Sequence, residues 1–118
     1  MVTVLAVIGS RTFKDMPLLI EHMDKACAQF SVTAIVSGGA KGADTLAAEH
    51  AVALGLPVEI FKPDWAQFGR GAGPIRNKVI VSAADVVLAF WNGESKGTKQ
   101  ALSYAKEVGK HVIVVAVS

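Results

Sequence analysis

Short runs of branched apolar residues alternate along this chain with longer stretches in which apolar residues recur every three or four positions. Each run is continuous rather than interrupted by polar residues, which is typical of strands covered on both faces of a sheet. The pattern therefore predicts five strands, which lie at residues 4–8, 32–36, 58–61, 86–90 and 112–117.

The stretches between these runs predict four helices, because their apolar residues share one helical face. The stripe of the first helix runs over residues 16–30, with Asp15 as the N-cap and Cys27 as a core residue within the stripe. Pro74 is expected to open the third helix. The later helices are placed at residues 43–54, 74–83 and 101–108, and residues 62–73 are predicted to form a long loop of the kind that is often functional.

Strands that alternate with helices imply right-handed crossovers and a parallel sheet between two layers of helices. We predict a single Rossmann-like α/β domain over residues 1–118, with a five-stranded, mainly parallel sheet in the order 3-2-1-4-5 and helices on both faces. In such sheets, ligands bind beyond the carboxyl ends of the strands, where the strand order reverses. The glycine-rich turns of this chain follow those strand ends, so the binding site is expected there.

Composition favours one soluble domain. The chain has 118 residues, of which 52% are hydrophobic and 19% are charged, so it can bury a single core. The lone Cys27 excludes a disulfide framework and fits a reducing compartment. The start at Met1 lacks the basic region of a signal peptide, and nothing approaches the ~18 to 20 apolar residues of a membrane span. We expect a cytoplasmic protein with no membrane partner.

The turn between the second strand and the second helix carries three glycines within residues 37–44. Glycine permits positive φ and close backbone approach, and a helix start offers free N–H groups and a positive dipole end. Together these features predict a phosphate site, to which Lys41 adds a formal charge. The alternative is a tight turn that merely needs glycine, but one glycine would satisfy that. The expected ligand residues of this turn are Ser37, Gly38, Gly39, Lys41, Gly42 and Asp44.

Two further turns carry candidate side chains. Gly9, Ser10 and Arg11 follow the central strand, and Arg11 either forks onto a phosphate or carboxylate or is an ordinary surface arginine. In the turn after the fourth strand, Ser95 and Thr98 are available to cap the next helix or to bind ligand oxygens. Two tryptophans, Trp91 in this turn and Trp65 in the long loop, each either stack on a base or close the edge of the core.

Several familiar types of site are excluded. The chain has no Walker A motif, and its first turn lacks the dinucleotide-binding fingerprint. The second strand ends at Ser37, where an acidic partner for ribose would be expected. The histidines His22, His50 and His111 are scattered without ligand spacing, so no metal site is predicted.

Five ordered motifs resemble the SLOG superfamily, and more narrowly its small stand-alone branch in bacteria and their phages. The motifs are Gly9-Ser10-Arg11, the turn from Val36 to Asp44, Asp64-Trp65, the segment from Gly73 to Asn77, and Ser95-Lys96-Gly97-Thr98. The resemblance implies a Rossmann-like fold and a nucleotide or nucleotide-derived ligand. Relatives include phosphoribohydrolases once called lysine decarboxylases, DNA-processing proteins that bind single strands, and sensors of NAD-derived signals in phage defence. Fold and family therefore leave function open.

The hydrolase branch can be compared position by position. Arg76 matches its arginine and Asp85 its aspartate, while Asn77 replaces the lysine that follows the arginine. Gly97 and Thr98 match the end of its glycine-rich turn, reached with two extra residues. The glutamate credited with catalysis in that branch falls on Ala101, so the resemblance argues against hydrolysis in this chain.

We therefore expect a recognition or sensing module for a small nucleotide derivative, with no required cofactor. The predicted ligand residues are Gly9, Ser10, Arg11, Ser37, Gly38, Gly39, Lys41, Gly42, Asp44, Arg76, Asn77, Trp91, Ser95, Gly97 and Thr98.

Two alternatives remain open. One is an N-glycosidic hydrolase that acts on a nucleoside monophosphate through Arg76 and another carboxylate, Glu94 or Asp44. The other is a binder of single-stranded nucleic acid, which a net charge of only +2 makes less expected. A homo-oligomer is compatible with either.

Overall fold

The computed structural model of the chain describes residues 2–118. Met1, at which the sequence analysis expected no signal peptide to begin, lies outside this range. Over the described residues the strands are β1 (Val4–Gly9), β2 (Ala34–Ser37), β3 (Val58–Ile60), β4 (Val86–Trp91) and β5 (His111–Ala116). The helices are α1 (Met16–Phe30), α2 (Ala43–Ala53), α3 (Trp65–Phe68), α4 (Ala72–Ala83) and α5 (Lys96–Glu107).

The five described strands form one parallel sheet in the order β3-β2-β1-β4-β5. The central strand β1 pairs with β2 on one side, where Leu5 lies opposite Ile35, and with β4 on the other, where Leu5 lies opposite Val86. The predicted strand order is therefore confirmed. The order reverses on either side of β1, so the turns after β1, β2 and β4 emerge next to each other.

Alternate residues of the strands pack into two separate core layers. Leu5 and Val7 belong to the layer that includes α1 and α2, whereas Ala6 and Ile8 belong to the layer that includes α4 and α5. All four side chains are at most 6% exposed. Burial of each larger aliphatic side chain stabilises the fold by roughly 1.5–3 kcal/mol. The prediction of helices on both faces is thus confirmed.

The first helix follows its sequence pattern closely. The Asp15 side chain accepts a hydrogen bond from the Leu18 backbone N–H at 3.1 Å, as expected of an N-cap. Cys27 is half-buried and packs against the first core layer. Burial, followed by the nearby negative charge of Asp24, raises the pKa of the Cys27 thiol, so the thiol stays protonated and behaves as a packing residue.

The prediction of a long loop over residues 62–73 is wrong in part. This segment contains α3, followed by a 3-10 turn at Gly69–Gly71, and α4 begins at Ala72 rather than at Pro74. The Asp64 side chain caps α3 by accepting a hydrogen bond from the Gln67 N–H at 3.1 Å. A four-residue helix is too short to show a periodic apolar stripe, which is why the pattern missed it.

A smaller difference concerns the start of the second strand. The second strand begins at Ala34 rather than Val32, because the Val32 N–H donates to the Cys27 carbonyl and still belongs to the end of α1. Within residues 2–118, no helix is both long enough and apolar enough to cross a bilayer.

Candidate functional site

The turns after β1, β2 and β4 enclose a central cavity of about 310 Å³ at the carboxyl edge of the sheet. Nine of the predicted ligand residues line this central cavity: Gly9, Ser10, Arg11, Asp44, Arg76, Asn77, Ser95, Gly97 and Thr98. They come from the three turns, from the first residues of α2 and α5, and from α4, which are far apart in the sequence. The predicted strand order accounts for this convergence, because it places the three turns side by side.

A close backbone contact joins the first two turns. Gly42 has φ +83°, and a Cβ atom at this position would lie 2.3 Å from the Ser10 carbonyl oxygen and 2.7 Å from that of Arg11. Only glycine accepts both the backbone angle and the contact. Gly42 itself lies outside the cavity lining, so its evident task is to let the turn after β2 rest on the turn after β1.

The first and last of the three turns are joined by side-chain hydrogen bonds. The Ser10 hydroxyl, which is only 2% exposed, accepts a hydrogen bond from the Asn92 N–H at 3.2 Å. Asn92 Oδ1 accepts from the N–H groups of Glu94 and Ser95, each at 2.9 Å. Ser95 caps α5 by accepting from the Thr98 N–H at 3.4 Å. These bonds hold the start of α5, and its positive dipole end, at the wall of the cavity.

Arg76 projects from α4 and is fixed by two hydrogen bonds. Its Nη1 donates to the Gly38 carbonyl at 2.7 Å, and its Nε donates to Asn77 Oδ1 at 2.9 Å. A guanidinium has five N–H donors, so three remain for a ligand. Burial lowers the pKa of Arg76, Asp44 opposes that shift and the positive charge of Arg11 adds to it. Arginine nevertheless stays protonated in proteins, so the site holds a fixed positive charge.

Asp44 brings a buried carboxylate into the same place. The residue is 6% exposed, and its Oδ2 accepts a hydrogen bond from the Ala40 N–H at 3.3 Å. Burial raises the pKa of Asp44 to about 6, against the opposing effects of the Ala40 and Gly38 backbone and of the positive charges on Arg76 and Arg11. Backbone N–H groups of the glycine-rich turn therefore donate to a carboxylate of the chain itself, and these groups are no longer free for a ligand. A phosphate bound here would therefore receive more of its hydrogen bonds from the arginines, and fewer from the backbone of the turn, than the sequence predicted.

Gly38 makes room for this arrangement. A Cβ atom at Gly38 would lie 2.5 Å from Arg76 Nη1 and 2.8 Å from Asp44 Oδ2. Ser37, which is completely buried, donates its hydroxyl hydrogen to the Asp44 carbonyl at 3.2 Å. Ser37 thus supports the start of α2 from below and lies outside the cavity lining.

A second cavity, of about 540 Å³, adjoins the central cavity. We call it the cationic groove, and its lining consists of Arg11, Gly38, Gly39, Ala40, Lys41, Lys62, Pro63, Trp65 and Arg76. Four of these side chains are cationic and none carries a carboxylate. Trp65 is 55% exposed, so it does not close the edge of the core, which was one of its two predicted roles.

Trp91, in contrast to Trp65, is partly buried. Its indole N–H donates to the Ser95 carbonyl at 3.1 Å, and its ring packs against the second core layer. It lines neither cavity. Of the two roles predicted for Trp91, the structure places it at the edge of the core.

Three lining residues with side chains able to hydrogen-bond a ligand were not considered in the sequence analysis. Thr12 and Asn92 line the central cavity, and Lys62 lines the cationic groove. Each follows the carboxyl end of a strand by only one to three positions in the sequence. Since the site was expected at those strand ends, position alone could have identified all three.

The residues compared with the hydrolase branch separate in space. Ala101 lines the central cavity, so the missing glutamate would indeed have faced a ligand there. Glu94 is exposed and lies outside both linings, which leaves Asp44 as the carboxylate that lines the central cavity. Asp85 lies before β4 and accepts a hydrogen bond from the Val4 N–H at 2.8 Å, at the amino end of β1. Its match to the branch therefore falls on a structural residue at the opposite edge of the sheet.

The histidines lie away from these cavities. His50 Nε2 lies 2.7 Å from Asp24 Oδ1, an interaction that joins α2 to α1. Within residues 2–118, no three histidine, cysteine, aspartate or glutamate side chains come together in a way that could hold a metal ion.

Solved structures with this fold include two DNA-processing proteins. The DNA processing protein A from Helicobacter pylori, which binds single-stranded DNA, superimposes with a TM-score of 0.74 at 22% identity over 98% of this chain. DNA processing protein A from Streptococcus pneumoniae superimposes with a TM-score of 0.78 at 21% identity over 99% of this chain. This chain spans 66% and 51% of those two structures, respectively, and at such identities the likeness shows the fold alone.

Sequence comparison identifies nearer relatives. The gene 61 protein of Mycobacterium phage D29 is 34% identical over 114 residues, which cover 91% of each chain. The model of the YspA, cpYpsA-related SLOG family matches residues 3–68, a range that includes β1, the glycine-rich turn and Trp65. The resemblance to the SLOG superfamily is thus confirmed, and the chain belongs to the YspA, cpYpsA-related SLOG family.

Proposed function

We propose that this chain binds single-stranded nucleic acid across the central cavity and the cationic groove, with a backbone phosphate held between Arg11 and Arg76. The observation that carries the proposal is the clustering of four cationic side chains in one groove whose lining has no carboxylate. The net charge of +2 had argued against nucleic acid. Affinity for nucleic acid, however, depends on the charges that meet the phosphates and not on the total.

The exposed indole of Trp65 favours single strands. Proteins that bind single strands combine a positively charged groove with aromatic side chains on which unpaired bases stack. Trp65 lies in the same groove as Arg11, Lys41, Lys62 and Arg76. The likeness to the single-stranded DNA-binding protein of Helicobacter pylori supports the proposal through the fold.

The affinity contributed by each cation can be estimated. Hydrogen bonds to charged groups are worth about 1.5–3 kcal/mol, which corresponds to roughly 10- to 100-fold in a dissociation constant. Arg11→Ala and Lys41→Ala should each weaken binding of a fluorescein-labelled oligothymidine within that range, as measured by anisotropy. Lys25→Ala provides a matched control, because Lys25 is exposed on α1 and lines neither cavity. Unchanged affinity in both groove variants would refute the proposal.

A free nucleotide-derived molecule is the second candidate, favoured by a different observation. The central cavity is lined by three turns and by α4, and its volume of about 310 Å³ lies at the lower end of the range for small-ligand pockets, which is about 300–1,000 Å³. Under this alternative, a mononucleotide binds as tightly as an oligonucleotide. Mass spectrometry of small molecules released by denaturing the purified protein would identify such a ligand.

A further inference from the structure

We infer that the central cavity and the cationic groove form one continuous site for two successive nucleotide units, and that the Trp65 indole stacks on the base of the second. This inference rests on the proposed function and deepens it. The two cavities share Arg11, Ala40 and Arg76, so they meet along the two arginines. A ligand held by these arginines therefore has room on both sides of its phosphate.

The central cavity can take the first unit. It is a small pocket of about 310 Å³. The hydroxyls of Ser95 and Thr98 and the side-chain amide of Asn77 line it. These groups can hydrogen-bond a sugar or a base edge. The pocket is too small for a whole dinucleotide by the usual scale of ligand sites. A longer ligand must leave it toward the groove.

The two arginines mark the crossing point. Arg76 is held in place by the Gly38 carbonyl and by Asn77, and it keeps three N–H donors free. Arg11 is exposed beside it and lines both cavities. Arginine pairs are suited to a phosphodiester because the guanidinium fork matches two phosphate oxygens. The phosphate that links the two units is assigned to this position.

The groove can take the second unit. Lys41 and Lys62 offer charge for the next phosphate, and Trp65 offers an aromatic face. The indole is held in place although it is more than half exposed. Asp64 caps the short helix that carries it, and Trp65 Cη2 would lie 3.6 Å from a Cβ atom at Gly73, so the ring edge rests on α4. A positioned, exposed aromatic ring loses little freedom when a base stacks on it.

The length of the ligand tests this inference directly. In a Trp91→Phe background, Trp65 is the only tryptophan, so its fluorescence reports on the groove. Thymidine monophosphate, the 5′-phosphorylated dinucleotide of thymidine and oligothymidines of four and eight units should be titrated in turn. We expect the dinucleotide to quench Trp65 and to bind at least 10-fold more tightly than the mononucleotide, with little further gain per unit at greater length. Because Trp91 donates to the Ser95 carbonyl, the same series should be repeated on the native chain by calorimetry.

Substitution of Trp65 separates stacking from a role in folding. Trp65→Ala should weaken dinucleotide binding about 5- to 150-fold and leave mononucleotide binding unchanged, whereas Trp65→Phe should retain most of the affinity. Phe68→Ala is the matched control, since Phe68 is a 43% exposed aromatic residue on the same short helix and lies outside both linings.

Each contrary result has a distinct meaning. Equal affinity for one and two units, or affinity that keeps rising steeply to eight, would overturn the two-unit site while leaving nucleic-acid binding intact. Unchanged dinucleotide binding by Trp65→Ala would also overturn it and would point to a protein partner for the exposed indole. Equal losses for one and two units would show that Trp65 supports the fold. Failure of the proposed function itself would instead show as no binding of any oligothymidine by the native chain, or as Arg11→Ala and Lys41→Ala both binding every ligand like the native chain.

Discussion

At the scale of single residues, Asp44 is the predicted site residue whose role the sequence indicated least. It is a carboxylate placed where an anion is to bind, and it accepts a hydrogen bond from Ala40, whose N–H belongs to the turn expected to hold the ligand. Arg11 and Arg76 stabilise its charge, but burial outweighs them, and the pKa of Asp44 rises to about 6. Ionised Asp44 thus destabilises the folded chain, although its carboxylate also orders the turn by accepting the Ala40 hydrogen bond.

This balance predicts how stability depends on pH. The folded pKa of about 6 exceeds the ordinary value of 3.8, so the folded state binds more protons between these values. The contribution of Asp44 to the free energy of unfolding should therefore fall by about 2 kcal/mol as the pH rises from 4 to 6. Asp44→Asn removes this contribution. Urea denaturation of both chains should show the variant gaining stability relative to the native chain over that range, and a constant difference would contradict the assignment.

A second prediction at this scale concerns Ala101. Cleavage of an N-glycosidic bond needs a group that stabilises the positive charge on the sugar or activates water, and the alanine side chain can do neither. Loss of one such preorganised group typically costs about 10² to 10³ in rate. We expect negligible release of free base from common nucleoside monophosphates over hours, as followed by chromatography. The Ala101→Glu variant runs beside it, and robust native turnover abolished by Arg76→Ala would establish a hydrolase.

Residue roles were only partly predictable from the sequence. Arg11 and Arg76 were placed correctly at the carboxyl edge because they follow from motif and strand order. The roles of Trp65 and Trp91 could not be separated, because whether an aromatic ring is buried depends on what packs on it in the fold. The competition of Asp44 for the turn's own N–H groups was also hidden, because it depends on side-chain direction within a tight turn.

At the scale of elements, the contact between the turns after β1 and β2 can be tested through glycine. Gly42→Ala would place a Cβ atom 2.3 Å from the Ser10 carbonyl oxygen at φ +83°. Backbone strain of this kind costs about 1–3 kcal/mol, and the clash adds to it. Gly55 has φ +72° but no atom within 4 Å of a Cβ, so Gly55→Ala reports the strain alone. Thermal unfolding should rank Gly42→Ala clearly below Gly55→Ala, and equal losses would mean that the turns can separate freely.

The elements themselves followed from hydrophobic patterning wherever they were long. The five strands and the helices α1, α2 and α4 lie within about two residues of their predicted bounds, whereas α5 begins at Lys96, five residues before its predicted stripe. The exception is α3, whose four residues depend on a cap from Asp64 rather than on an apolar stripe. That helix carries Trp65, so the element that sequence patterning missed is also the one that completes the cationic groove.

At the scale of the whole molecule, the sheet order converts scattered turns into one site. Three cationic residues of the groove, Arg11, Lys41 and Lys62, follow β1, β2 and β3, which are neighbours in the sheet. The fourth, Arg76, comes from α4 and crosses to the Gly38 carbonyl. The order was predictable from the alternation of strands and helices. The charge of the groove was not, because the net charge of +2 averages over surfaces that no ligand touches.

This difference between local and net charge leads to a prediction about salt. Binding of a single strand releases about 0.7 counterions per phosphate neutralised, so the two phosphates assigned to the four groove cations predict a slope of about −1.4 for log affinity against log salt concentration. A double variant, Lys41→Ala with Lys62→Ala, should reduce the magnitude of the slope by about 0.7, because the second of the two phosphate contacts is lost. The control Lys25→Ala leaves the net charge one unit lower but should leave the slope unchanged, since Lys25 lies on α1, away from both cavities. Anisotropy titrations of oligothymidine at several salt concentrations give all three slopes.

If Lys25→Ala lowers the slope as much per charge as the groove variants do, then the molecule binds through its overall charge and the groove has no special role. If only the groove variants lower it, the phosphates lie where the sheet order brings the four cations together.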